Sequence, residues 1–150
     1  MLYDFFTNEA LIVPVCAWML AQSLKVIIAV LQKKGLDFRY MVSSGGMPSA
    51  HSAVVCALAT TLALRQGLGT AAFGISAILA LVVMYDAAGI RQSVGRQSRV
   101  LNHIVQELRL GRAVTEVQLR EFIGHTPFQV IVGGVLGVAF AWSWLAIAGL

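Results

Sequence analysis

The stretch Ala10–Leu31, ALIVPVCAWMLAQSLKVIIAVL, decides the class of fold. Apart from Gln22, Ser23 and Lys25 it is apolar throughout. Wound as a helix at about 1.5 Å per residue it reaches about 33 Å, against a membrane hydrocarbon core of about 30 Å. Three more runs share this character: Pro48–Gln66, shorter and richer in Ala, Ser and Thr, then Leu68–Ala88 and Pro127–Leu150. Gln66-Gly67-Leu68-Gly69 alone joins the middle two, which reads as a tight helical hairpin. The connection 89–126 is polar, with Ile90, Val94, Leu101, Ile104, Val105 and Leu108 on a roughly helical period, as in an amphipathic helix on the membrane surface.

The whole chain agrees with that stretch. Of its 150 residues 58% are hydrophobic and 12% charged, where a soluble domain carries about 25% charged residues. This excludes a soluble globular enzyme, a disordered chain and a disulfide-stapled module. Cys16 and Cys56 lie inside apolar runs as small buried hydrophobes. The expected fold is all-α, a single membrane domain over 1–150. It is an integral membrane helical bundle of about four transmembrane helices plus the amphipathic cytoplasmic segment 89–126. The net charge is +4, and its basic residues flank apolar runs, which favours membrane lipids or anionic substrates over nucleic acid. Lys33, Lys34 and Arg39 in the first loop, with Arg91, Arg96, Arg99, Arg109, Arg112 and Arg120 in the third, face only Arg65 on the other side. The positive-inside rule then puts both long loops in the cytoplasm and both termini outside. Asp4 and Glu9 replace the basic start of a secretory signal, which suits direct insertion into a bacterial inner membrane.

Two stretches carry chemistry. In Ser43-Ser44-Gly45-Gly46-Met47-Pro48-Ser49-Ala50-His51-Ser52, the glycines allow a ligand close to the backbone and Ser49 is placed to cap a helix. Free N–H groups and the positive helix end then suit an anion, with His51 in the first turn. In Glu121-Phe122-Ile123-Gly124-His125-Thr126-Pro127-Phe128-Gln129-Val130, His125 stands where the last span begins, on the same side of the membrane. Paired imidazoles can attack phosphorus and protonate a leaving oxygen. The same residues also fit a Gly-Pro turn and a polar belt at the helix boundaries. No histidine pair has the short spacing of a metal site, and none is assigned.

Together with Ala21-Gln22 and Lys25, Met84-Tyr85-Asp86-Ala87-Ala88-Gly89-Ile90-Arg91, Leu101-Asn102 and Gly124-His125-Thr126-Pro127, the motif around His51 resembles the divergent branch of the type 2 phosphatidic acid phosphatase superfamily. That superfamily includes the vanadium-dependent haloperoxidases, and the matching pieces run in order along nearly the whole chain. The resemblance implies that Ser49 holds a phosphate oxygen, His51 protonates the leaving group and His125 is the nucleophile, with no metal or other cofactor. The partner it implies is a lipid phosphate or pyrophosphate. The superfamily fold has six helices, so a homodimer is the expected way for four spans to complete it.

The chain departs from the superfamily pattern at three places. Gln129 stands four residues after His125 where the pattern has an acid, and Leu119 stands where it has an Arg, with Arg120 one place on. Lys33 and Arg39 are one residue too close for the Lys-x6-Arg-Pro signature, and Tyr40 replaces its Pro. Lys25, Asp86, Arg91 and Arg120, with Gly46, are the candidates for a rebuilt phosphate clamp, and a Lys25–Asp86 ion pair is the alternative use of two of them. Gly133, Gly134 and Gly137 offer a small-residue face for helix packing within one chain or between two. The sequence thus predicts a membrane phosphatase acting through a phosphohistidine. Its rivals are a catalytically inactive scaffold or carrier that binds phospholipid or a phosphate ligand, and a small transporter or channel.

Overall fold

The computed structural model describes residues 3, 6–32, 46–89, 97, 100–102, 104–105 and 125–149. Four long helices account for most of them: α1 (Glu9–Leu31), α2 (Ala50–Gln66), α3 (Ala71–Ala88) and α4 (Pro127–Ile147). There is no strand among the described residues. Each helix starts where a small polar side chain takes over an orphan backbone N–H. Asn8, Ser49, Thr70 and Thr126 accept from the amides of Ala10, Ser52, Phe73 and Gln129 in turn. The caps explain why α2 begins at Ala50 and α3 at Ala71, each two or three residues inside its apolar run. Gly67 ends α2 with φ +93°, a conformation that glycine alone adopts cheaply, and so turns the chain into α3.

Helices α1, α3 and α4 are long and apolar enough to cross a membrane. The 17 residues of α2 fall short of that and include Ser52, Thr60 and Thr61. It holds the middle of the bundle instead, packed by α1, α3 and α4, while α3 barely touches α4. Thr60 and Thr61 donate their hydroxyls to the Cys56 and Ala57 carbonyls at 2.8 Å, so neither brings an unmet polar group into apolar surroundings. The polar connection 89–126 lies largely outside the described residues, and those described within it beyond Gly89 (97, 100–102 and 104–105) are helical.

Small residues set the packing. Val13, Ala17, Ala57 and Ala141 form one buried cluster, and Ala21, Ala50 and Ala53 a second, closed by Phe140 and Leu136. A side chain on Gly133 would run into the Ser49 carbonyl oxygen, and one on Gly137 into that of Ala53. The glycine face of α4 is therefore used inside the chain, against α2, where two backbones touch. Steps of four match on both helices, so α2 and α4 run parallel with their N-termini side by side. Against them α1 runs antiparallel: Arg65 grips Glu9 by two bonds of 2.5 and 2.8 Å, Ala17 shares a cluster with Ala57, and Ala21 with Ala53. One more step along this register brings Lys25 level with Ser49.

Candidate functional site

The parallel start of α2 and α4 puts the two sequence motifs in one place. Ser49 and Ser52 are buried in the first turn of α2, where Ser52 donates its hydroxyl to Ser49 Oγ at 3.0 Å. Sequence reading had no reason to single out Ser52, although its place three residues after a serine cap is the signal. Ser49 also donates its backbone N–H to the Gln129 carbonyl at 3.2 Å, which ties the two helix starts together. The two positive helix ends, lying side by side, favour an anion more than either alone.

On α4 the residues form a capping box. Thr126 Oγ1 accepts from the Gln129 amide at 3.4 Å, and Gln129 Oε1 accepts from the Thr126 amide at 3.1 Å. His125, fully buried, sets its Nδ1 3.3 Å from the same Oε1. The Thr126 N–H needs an acceptor, which identifies the Gln129 atom as the carbonyl oxygen. His125 Nδ1 is then the donor, and the lone pair stays on the buried Nε2. The departure from the acid at position 129 thus keeps the orienting bond and loses only the negative charge.

Lys25, only 5% exposed, projects from the inner side of α1, with Gln22 one turn before it equally inward at 8%. Gly46 holds φ +91° ahead of the serine cap. His51 occupies the second position of α2 and lies on its exposed side, whereas Ser49 and Ser52 face in. Asp86 is half-buried in the last turn of α3. Arg91 and Arg120 fall outside the described residues; of the other candidates the structure brings Ser49, His125 and Gln129 together with Ser52 at the two helix starts, sets Lys25 level with them on α1, and leaves His51 on the exposed side of α2. Among the described residues no three His, Cys, Asp or Glu side chains gather as a metal site.

A sequence profile described as the Divergent PAP2 family matches residues 6–140 of this chain. An uncharacterised membrane protein of Bacillus subtilis (strain 168), YuiD, is 37% identical over 148 residues, covering 90% of this chain and 92% of that protein. No solved structure matches.

Proposed function

The chain belongs to the divergent PAP2 family of membrane proteins, and on that premise we propose that it hydrolyses a phosphate monoester or pyrophosphate carried on a lipid. The observation that carries this reading is the fully buried His125 at the start of α4, its ring held against Gln129. Its Nδ1–H is spent on Gln129 Oε1 at 3.3 Å, so the basic nitrogen is Nε2, beside two helix N-termini.

In this mechanism the phosphate rests on Ser49, on the amides next to Gly46 and on Lys25, Arg91 and Arg120. His125 Nε2 attacks phosphorus, an N–P bond forms and the P–O bond to the lipid breaks. His51, as imidazolium, gives its proton to the departing oxygen. Water then attacks the phosphohistidine, His51 takes back a proton, and inorganic phosphate leaves with His125 restored. Gln129 holds the ring throughout and Asp86 supplies a counter-charge. The excess of basic residues in the two long loops supports a site that faces the cytoplasm from a bacterial inner membrane.

A second reading is favoured by one feature. Gln129 supplies no charge to stabilise an imidazolium, which fits a protein that binds a phosphate ligand or phospholipid headgroup without turnover. Phosphate release from phosphatidic acid, phosphatidylglycerophosphate and polyprenyl pyrophosphate by purified protein in detergent separates the two. Release that disappears in His125→Ala supports hydrolysis. No release from folded wild-type protein overturns it in favour of binding.

A further inference from the structure

Gln22 adds a buried acceptor at the level where Lys25 and the start of α2 offer donors. Its side chain is 8% exposed, and its Oε1 is buried with no hydrogen-bond partner. A buried amide carbonyl left unmatched is costly in protein and more so in a membrane-spanning helix. Gln22 lies three residues before Lys25 on the inner side of α1, next to Ala21, which packs on Ala50 and Ala53 directly below the Ser49 cap. Around that level stand the Lys25 ammonium, the Ser49 and Ser52 hydroxyls and two helix N-termini. A phosphate-ester dianion can meet such donors and leaves Gln22 Oε1 still without a proton to accept.

One species matches both sets. A phosphate monoester that keeps a single proton presents two charged oxygens and one P–OH. Resting on the anion site proposed above, we infer that Gln22 accepts the hydrogen bond of that P–OH, so the site selects monoanionic monoester phosphate (or the terminal phosphate of a pyrophosphate). A phosphodiester has no P–OH at neutral pH. The acceptor is therefore a device for ignoring the diester phospholipids that surround the protein and taking the rare monoester among them.

The test is binding to the full-length protein in detergent between pH 5.5 and 8, by calorimetry. The probes are phosphatidic acid, inorganic phosphate, phosphatidylglycerol and a long-chain alkylphosphonate, whose second ionisation lies above that of a phosphate ester. Because that ionisation falls near pH 6 for an ester, wild-type affinity for phosphatidic acid should drop about tenfold per pH unit above it. Other groups titrate or carry charge here: Lys25 on α1, His51 on α2, Asp86 on α3 and His125 on α4. The alkylphosphonate separates them from the ligand, since the midpoint should move with the ligand and stay put if a protein group sets it. Gln22→Met, of similar length and fully apolar, should bind about tenfold more weakly at pH 6 and lose most of the pH dependence. Gln22→Leu repeats the test should the first variant fold poorly. Inorganic phosphate keeps a P–OH even as its dianion, so its binding should not weaken as pH rises; that result identifies the phosphate group as sufficient, binding of phosphatidic acid alone adds the lipid as a requirement, and either supports the inference. Flat pH dependence for phosphatidic acid, a midpoint shared by phosphatidic acid and the alkylphosphonate, tight phosphatidylglycerol binding or no phosphate binding at all overturns it. Selective binding without phosphate release would overturn hydrolysis and leave Gln22's role standing.

Discussion

Replacing Gly133 by alanine adds one methyl group at the closest approach of α2 and α4. That carbon would collide with the Ser49 carbonyl oxygen and lie 2.9 Å from the Ser49 nitrogen, both backbone atoms with no rotamer to escape into. Overpacking of this kind costs about 1–3 kcal/mol. Parting the helices also stretches the Ser49 N–H bond to the Gln129 carbonyl, about 1 kcal/mol more. The better helix propensity of alanine returns about 0.5–1 kcal/mol. The net loss is about 2 kcal/mol, roughly 30-fold in the folding equilibrium. Gly134→Ala is the matched control, because its new carbon meets only the ends of Cys56 and Met84, at 3.3 and 3.4 Å. It should stay within about 0.5 kcal/mol of wild type. Equilibrium unfolding in mixed micelles measures both, and equal stability of the two variants would refute the assigned contact between α2 and α4.

Other outcomes follow from the same geometry. Gln129→Met removes the acceptor shared by His125 Nδ1–H and Thr126 N–H, and should lower kcat roughly 100-fold with little change in KM. Gln129→Glu keeps the acceptor and adds a charge that steadies an imidazolium, so turnover should hold or rise; collapse in folded protein would mean the pair is misassigned. Glu9→Gln breaks the two-pronged grip of Arg65 at the opposite end of the bundle, where both side chains meet solvent. The melting temperature should fall slightly at low salt and match wild type at high salt, and a large loss at both would contradict a screened surface pair.

Much of this architecture is legible in the chain itself. Asn8, Ser49, Thr70 and Thr126 precede apolar runs, and a cap followed by such a run is a local signal that needs no tertiary knowledge. The two histidine motifs are legible for the same reason, each sitting at a helix start. The partner of the glycine face is not. Gly133 and Gly137 announce a close approach, but small residues look alike to a neighbour in the chain and to a second copy. Nor could the inward turn of Gln22 and Lys25 be read, because α1 is apolar on nearly every side and has no polar stripe to orient it. Alanines of α2, far along the sequence, decide which way those two residues face. Length and apolarity alone pick out α1, α3 and α4, and the central place of the shorter α2 shows only in the packing.

The bond from Ser49 N–H to the Gln129 carbonyl joins main-chain atoms only. The change from acid to amide at position 129 leaves both its donor and its acceptor in place. A lineage can therefore exchange acid for amide at position 129 while the two helix starts remain registered to each other. The seam holds through that exchange, so the charge at position 129 can change without the two helices having to find a new register.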